Sequence, residues 1–274
     1  MKQLINDITA QLLRCYPENE ARSLAWWIIE EETGLSRTQL QIGCKDTTIF
    51  ANMQKIQTII DRLLHFEPIQ YIFGHTLWCG IDLKVTPATL IPRPETAELV
   101  ERINQMVNGK WSNGKCLDIG TGSGCIALAL KKAHPEWQVT GIDISSEAIE
   151  VARENAIRNN AEVEFKVSDI CDFNGDFDIV VSNPPYICES EKADMRPNVL
   201  NYEPATALFV PDHDPLKFYR KIAELKLGKY QFFEINEAYP QELSDMLREQ
   251  GYTDIQVTND IYGKPRIIEG RMAE

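Results

Sequence analysis

The chain has 274 residues, of which 43% are hydrophobic and 25% are charged, so it can bury a sizeable core in one large or two smaller domains. Its formal net charge is −13, which disfavours a protein that grips nucleic acid phosphates but leaves room for a local basic patch. No apolar run reaches about eighteen residues and no signal-peptide core is present, so we expect no membrane attachment.

Seven cysteines are scattered along the chain, and no two of them have Cys-x-x-Cys spacing. The odd number argues against a disulfide framework, and the spacing argues against a metal site. We therefore expect a reducing, cytoplasmic location and no bound metal. Cys188 is a lone thiol with no histidine nearby in the sequence, which is typical of an inert cysteine.

Residues 1–68 are predicted to form a small helical N-terminal domain. Apolar residues recur there at helical spacing in stripes that end at Pro17, Gly34 and Pro68. Ser36 and Gln39 have the spacing of a capping box at the start of another helix.

Residues 69–90 are predicted to form a β-hairpin linker, with strands at 70–74 and 81–85. The stretch that follows holds Arg93 between two prolines and leads into a helix whose inward face runs from Leu99 to Val107. The stiff flanks make Arg93 a candidate lid or substrate contact, whereas a solvated surface charge is the simpler interpretation.

From residue 91 to the end, strands and helices alternate, which predicts a mostly parallel sheet with helices on both faces. The predicted strands lie at 116–119, 139–142, 163–167, 177–181 and 231–235 and near residues 255 and 267, and the helices at 126–133, 147–159, 215–223 and 241–249. Ligands of such sheets bind at the carboxyl ends of the strands, where Gly120, Asp143, Asp169 and Asn183 fall.

The first strand leads into the glycine-rich turn Gly120-Thr121-Gly122-Ser123-Gly124, where a ligand can approach the backbone closely. The turn alone fits NAD, S-adenosyl-L-methionine (SAM) or a nucleotide. Cys125 replaces the third glycine of the dinucleotide fingerprint, and no Lys-Ser/Thr pair of a P-loop follows. Asp118 would repel a pyrophosphate but suits a ligand with an ammonium and a sulfonium group.

Two further strand ends carry acids that suit SAM. Asp143 can accept hydrogen bonds from ribose hydroxyls, and Asp169 or its neighbour Ile170 would lie beside the adenine. Each acid alone could be a solvated charge, but their recurrence at neighbouring strand ends favours SAM as cofactor.

The strand at 177–181 runs into Ser182 and then Asn183-Pro184-Pro185-Tyr186. The prolines donate no N–H but keep their carbonyls, so the segment is stiff and rich in acceptors. Asn183 and the Pro184 carbonyl are predicted to accept the two N–H groups of a target –NH2, with Tyr186 packed on its flat face. The simpler interpretation is a proline-rich loop.

These features together resemble the HemK/PrmC release factor glutamine methyltransferases. The resemblance is carried by Leu90 to Thr96, Asp118 to Gly124, Val181 to Ile187 and Glu203-Pro204, and it extends from about Pro68 to the C-terminus. It implies a Rossmann-like class I SAM methyltransferase domain with a seven-stranded sheet, joined by a hairpin to a helical domain. It also implies methylation of the glutamine amide in the Gly-Gly-Gln motif of class 1 peptide chain release factors.

Two positions depart from that family's pattern: Ala97 stands where a second glutamate is usual, and Asn236 where glycine is usual. Asn-Pro-Pro-Tyr is shared with DNA adenine and RNA guanine amine methyltransferases, so a nucleic acid substrate is the main alternative. A non-catalytic SAM-fold binding protein and an NAD dehydrogenase are further alternatives. The intact Asn183 disfavours the first, and the cysteine at position 125 disfavours the second.

Overall fold

A computed structural model describes residues 1–42, 52–107 and 111–273, and the chain divides into two compact units. The helical unit comprises Met1–Phe73 and Arg196–Tyr202, and the sheet unit comprises Gly74–Met195 and Glu203–Glu274. Cys44 lies outside the described residues.

The helices of the described residues are α1 (Lys2–Leu12), α2 (Glu18–Thr33), α3 (Arg37–Gln41), α4 (Met53–Leu64), α5 (Ile69–Phe73), α6 (Pro94–Val107), α7 (Cys125–Ala133), α8 (Ser146–Arg158), α9 (Pro197–Tyr202), α10 (Lys217–Glu224) and α11 (Pro240–Glu249). The strands are β1 (His75–Trp78), β2 (Ile81–Lys84), β3 (Lys115–Ile119), β4 (Gln138–Asp143), β5 (Glu164–Val167), β6 (Phe177–Ser182), β7 (Ile187–Cys188), β8 (Phe209–Val210), β9 (Gly228–Glu234), β10 (Tyr252–Asn259) and β11 (Pro265–Met272). None of the helices in the described ranges is long and apolar enough to span a membrane.

The helical unit is held by the apolar stripes that the sequence predicts. The inward faces of α1, α2 and α4 form one cluster, in which Ile8, Ile28 and Ile60 are almost completely buried. The predicted capping box is confirmed, because Ser36 Oγ accepts from Gln39 N and Ser36 N donates to Gln39 Oε1.

The prediction of a strand at 70–74 is wrong, because these residues form most of helix α5. Pro68 starts the helix, and its carbonyl accepts from Tyr71 N and Ile72 N. The side chains of Ile69, Ile72 and Phe73 pack into the helical cluster, and this burial outweighs the β preference of the Tyr-Ile-Phe triplet. The hairpin itself is shorter and comprises β1 and β2.

Residues 196–202 cluster with the helical unit, although the sequence analysis places them inside the methyltransferase domain of 91–274. Arg196 forms an ion pair with Glu20 at 3.0 Å, and the Tyr202 hydroxyl donates to the His65 carbonyl at 3.0 Å. These contacts are between residues far apart in sequence, and the periodicity of the segment gives no sign of them.

The sheet unit contains the predicted seven-stranded, mostly parallel sheet, in the order β10-β11-β9-β6-β3-β4-β5. The five strands from β9 to β5 are parallel, and β11 is antiparallel to both of its neighbours. The short parallel ladder of β7 and β8, which follows Tyr186, was not predicted. Two-residue strands are too short for a pattern of alternation to reveal them.

Successive residues of the central strands face opposite sides of the sheet, as strand geometry requires. In β6, Ile179 and Val181 pack in the cluster with α6, α7 and α8, whereas Val180 packs in the cluster with α10 and α11. Both faces are therefore buried, which explains why these strands are apolar along most of their length. Because both faces are covered, polar side chains gather at the ends of the strands.

A substitution at Gly228, where β9 begins, tests this close packing. A Cβ atom there would lie 2.6 Å from Val180 Cγ2 and 3.1 Å from Val180 N. We expect Gly228→Ala to lower the free energy of unfolding by about 1–3 kcal/mol, measured by chemical denaturation. Gly270→Ala in β11 is the control, since its Cβ would meet ordinary contacts at 3.4 Å and should change stability little. Equal stability of the two variants would contradict the packing described.

Candidate active site

A cavity of about 660 Å³ opens at the carboxyl ends of β3, β4 and β6. Because these strands are parallel and adjacent, their ends meet at one edge of the sheet. Most of the predicted site residues line this cavity: Arg93, Gly120, Thr121, Gly122, Ser123, Asp143, Asp169, Ile170, Asn183, Pro184 and Pro185. The other three, Asp118, Gly124 and Tyr186, are not among the residues that line it.

The glycine turn leaves room for a ligand against its backbone. Gly120 has φ 71° and Gly122 has φ 55°, both in the left-handed region, and a Cβ atom at either position would meet nothing within 4 Å. The amides of Gly120 and Thr121 both donate to the Ile142 carbonyl at 2.9 Å, which anchors the turn to β4. The turn is therefore a fixed backbone cradle, and side chains at Gly120 or Gly122 would fill the space that it leaves for a ligand.

Gly124 is packed more tightly than the other two glycines of the turn. A Cβ atom there would lie 2.9 Å from the Phe165 ring and 3.2 Å from Ala152 Cβ. The absence of a side chain at Gly124 lets the start of α7 pack tightly on β5 and α8. The structure thus gives this glycine a packing role rather than a place in the lining.

Asp118 is completely buried beneath the turn. Its Oδ2 accepts from Thr121 Oγ1 at 2.6 Å and from Ala127 N at 3.2 Å, while Oδ1 has no hydrogen-bond partner. Burial raises the pKa of the carboxyl from 3.8 to about 7, against the effect of those two hydrogen bonds. Asp118 therefore fixes the turn from within, and its Oδ1 is a buried acceptor without a partner.

Asp143 lies in the cavity wall at the end of β4. Its Oδ2 accepts from Gly122 N and its Oδ1 from Ser145 N, both at 2.9 Å, so the carboxylate is held in place with a lone pair left on each oxygen. The next residue, Ile144, also lines the cavity and is 70% exposed. Ile144 was not predicted from the sequence, although a bulky apolar residue directly after a strand-end acid is a visible signal.

Asp169 caps the short 3₁₀ helix Ile170–Asp172 and accepts from Cys171 N at 2.9 Å. This backbone hydrogen bond lowers the pKa of Asp169. Lys221 lies 3.7 Å from the carboxylate and lines the same part of the cavity. Asp169 is thus a charged acceptor, and Ile170 lines the cavity beside it.

At the other end of the cavity, Asn183 and Pro184 follow β6. Asn183 Nδ2 donates to Thr96 Oγ1 at 3.2 Å, which leaves the amide oxygen of Asn183 as the atom available to a ligand. Thr96 Oγ1 donates to Glu234 Oε2 at 2.6 Å. The Tyr186 hydroxyl donates to the other oxygen of the same carboxylate at 3.0 Å.

Tyr186 is anchored at both its hydroxyl and its backbone. Asn236, the unusual residue after β9, donates from Nδ2 to the Tyr186 carbonyl at 3.2 Å and accepts from Ala238 N at 3.0 Å. Ala97, the other unusual position, lies in α6 and packs against the core cluster of the sheet unit. The Asn-Pro-Pro-Tyr segment is therefore fixed from below, and packing of the Tyr186 ring on a target amide stays a prediction.

Arg93 lines the cavity, but its guanidinium is already paired. Nη2 donates to Glu203 Oε1 at 2.7 Å, and Glu203 Oε2 accepts from Ile91 N at 3.3 Å. The Arg93 carbonyl accepts from Trp78 Nε1 at 2.8 Å. Arg93 is thus a fixed part of the wall, and its remaining N–H groups are the ones that a substrate could use.

Among the described residues, no histidine lines the cavity, and Lys221 is the only lysine that does. Cys188 is buried, and its Sγ lies 3.6 Å from the Tyr239 hydroxyl. Burial raises the pKa of the Cys188 thiol, which agrees with an inert cysteine. The described residues contain no cluster of histidine, cysteine and acidic side chains that could hold a metal ion.

Comparison with known proteins shows which family this chain belongs to. Residues 95–201 match the family described as Methyltransferase small domain, and residues 3–74 match the PrmC N-terminal domain. The chain is 44% identical to a release factor glutamine methyltransferase of Bacteroides thetaiotaomicron, over 98% of this chain and 99% of that protein. It is 37% identical to the protein of that name from Streptococcus pneumoniae, over 98% and 97% of the two chains.

Solved structures share the fold at lower identity. The hMettl16 catalytic domain in complex with MAT2A 3′UTR hairpin 6 is 18% identical, with a TM-score of 0.57 over 71% of this chain and 77% of that one. A methyltransferase from Pyrococcus furiosus is 20% identical, with a TM-score of 0.52 over 78% and 98%. These similarities show the class I methyltransferase fold that the sequence predicts.

The buried carboxyl of Asp118 predicts a pH dependence of stability in the ligand-free protein. Its pKa is about 7 in the folded chain and 3.8 when exposed, so folding favours the protonated form and the stabilisation is lost as pH rises from about 4 to 7. Between pH 5 and pH 8 the stability of Asp118→Asn should rise relative to the parent by about 2–3 kcal/mol. Denaturation of both proteins at the two pH values measures this; a constant difference would mean that Asp118 does not change protonation.

Proposed function

The chain belongs to the family of release factor glutamine methyltransferases, and from this premise we propose which of its residues carry out the reaction. The enzyme transfers a methyl group from SAM to the side-chain amide of a glutamine in a release factor. We propose as substrate the glutamine of the Gly-Gly-Gln motif in class 1 peptide chain release factors. The observation that supports this reaction is the acceptor pair of Asn183 and Pro184 next to the glycine cradle.

The residues around the cradle fit SAM chemically. The free oxygen of Asp118 suits the ammonium group, the lone pairs of Asp143 suit the ribose hydroxyls, and Ile144 and Ile170 offer apolar surface to the adenine. Asp169 would accept from the adenine amine. When bound there, SAM supplies an electrophilic methyl group on a positively charged sulfur.

The task of Asn183 and Pro184 is orientation. The lone pair of a carboxamide nitrogen is delocalised into its carbonyl, so the nitrogen is a poor nucleophile. Asn183 Oδ1 and the Pro184 carbonyl accept the two N–H bonds of the target amide and aim its nitrogen at the methyl group. The same two oxygens stabilise the positive charge that develops on the nitrogen as the new bond forms.

No strong base is required beside this pair, because the methylated amide is acidic and loses its extra proton readily. Pro185 and Tyr186 complete the platform, and Tyr186 is proposed to pack on the flat face of the target amide. The remaining N–H groups of Arg93 are proposed to contact substrate backbone at the cavity wall.

The main alternative is a DNA or RNA amine methyltransferase with the same acceptor geometry. The net charge of −13 disfavours it, since nucleic acid binding depends on neutralised phosphates. A release factor is therefore the favoured partner, with no stable binding of nucleic acid. We propose the cytoplasm as the location, because release factors act on the ribosome there.

Mass spectrometry of a release factor after incubation with the enzyme and SAM tests the function. We expect a mass increase of one methyl group on the Gly-Gly-Gln peptide and none when that glutamine is replaced by alanine. A parallel reaction with labelled SAM and DNA or RNA measures methyl transfer to nucleic acid. Transfer to nucleic acid and not to the release factor would contradict the proposed substrate.

Asn183→Ala tests the acceptor role. The variant loses one of two acceptors for the target amide, so we expect kcat to fall by about 10²–10³-fold with little change in SAM affinity. Single-turnover methylation and calorimetric titration with SAM measure the two effects separately. A kcat close to that of the parent would show that the amide is oriented by other groups.

A further inference from the structure

We propose that Thr96 and Glu234 are positioning residues that decide which way the Asn183 side chain faces. They turn its NH2 group inward and thereby leave its oxygen for the target glutamine. The inference deepens the proposed function, because it rests on Asn183 acting as an acceptor. Neither residue belongs to the Asn-Pro-Pro-Tyr segment, and the sequence analysis assigned no role to either.

A carboxamide poses a particular problem of orientation. Rotation of the Asn183 amide by half a turn exchanges its oxygen and its NH2 group without changing the shape of the side chain. In the turned state, the NH2 group would face the N–H groups of the target, and two donors cannot form a hydrogen bond with each other. The active site therefore needs a group that distinguishes the two states.

The Thr96 hydroxyl makes this distinction. It carries one proton, and its Oγ1 lies 2.6 Å from Glu234 Oε2 and 3.2 Å from Asn183 Nδ2. An ionised carboxylate has no proton to give, so the proton of Thr96 must point to Glu234. Thr96 can then only accept from Asn183, and the group of Asn183 that can donate is NH2.

Several contacts keep Glu234 an acceptor. The Tyr186 hydroxyl donates to Oε1 at 3.0 Å, so each carboxylate oxygen accepts a hydrogen bond from a neighbouring hydroxyl. Burial raises the pKa of Glu234, whereas the hydrogen bonds from Thr96 and Tyr186 and the charge of Arg266 oppose that rise. The direction of the whole chain of hydrogen bonds follows from the charge at its end.

Asn183, Thr96 and Glu234 form a relay of hydrogen bonds whose two inner members are almost completely buried. Thr96 is 2% exposed and Glu234 is 1% exposed. Thr96 lies in α6, Asn183 directly follows β6 and Glu234 lies in β9, and the strands β6 and β9 are paired neighbours in the sheet. The relay therefore connects the orientation of one catalytic amide to the rigid centre of the fold.

Thr96→Val with Thr96→Ser as matched control tests the inference. Valine keeps the shape of threonine but cannot accept from Asn183, so the amide loses its preference. We expect single-turnover methylation of a release factor to slow by about two- to tenfold, in proportion to the share of Asn183 amides that are turned, with the KM for SAM unchanged. Thr96→Ser retains the hydroxyl and should stay close to the parent rate.

The same substitution in the Asn183→Ala background separates positioning from a structural role. If Thr96 acts through Asn183, Thr96→Val should slow the Asn183→Ala enzyme no further. A general loosening of the site would slow both backgrounds by the same factor and would overturn the inference. An undiminished rate in Thr96→Val, or an equal loss in Thr96→Ser, would overturn it as well.

Glu234→Leu gives a second measurement that does not depend on the folding of Thr96→Val. Leucine cannot accept from the Thr96 hydroxyl, so the proton of Thr96 is free to turn towards Asn183 and we expect a lower rate. The loss of a buried charge should spare the unfolding temperature. Full activity of Glu234→Leu would contradict the relay. Failure of the proposed function is seen separately, as absence of release factor methylation by the parent enzyme.

Discussion

The delocalised lone pair of a carboxamide is the constraint on which the structure of this enzyme depends. A nucleophile of this kind gains little from a nearby base and much from being held at the correct angle. We propose that the Asn183 side chain and the Pro184 carbonyl meet this need as acceptors, in a cavity that no histidine of the described residues lines. In this proposal, rigidity near Asn183 matters more than proton transfer.

That rigidity originates in the sheet. The parallel strands β3, β4 and β6 end at one edge, and this brings the glycine cradle, Asp143 and Asn183 to one cavity although they are distant in sequence. Asp118 beneath the cradle and Glu234 beneath the acceptor pair share a design. Each is a fully buried carboxyl that accepts from a threonine hydroxyl, Thr121 or Thr96, and so fixes the segment above it.

Strand periodicity and strand-end chemistry were sufficient to predict the sheet and the position of the glycine turn, Asp143 and Asn183 around one cavity. They succeed because β/α alternation forces ligands to the carboxyl edge, where Gly120, Asp143 and Asn183 stand out as unusual residues. The helix at Ile69–Phe73 could not be predicted in this way, since burial against the helical cluster decides it. Likewise, no local pattern joins Thr96 to Glu234 across 138 positions, and only the folded chain shows that they form a hydrogen bond.

A crystal structure of the enzyme with a non-reactive SAM analogue and a Gly-Gly-Gln peptide would show how the target amide is held. We expect the glutamine amide nitrogen to lie about 2.7–3.2 Å from both Asn183 Oδ1 and the Pro184 carbonyl, with the Asn183 NH2 group still donating to Thr96. A glutamine held with its carbonyl oxygen towards Asn183, or bound away from this pair, would disprove the proposed acceptor role.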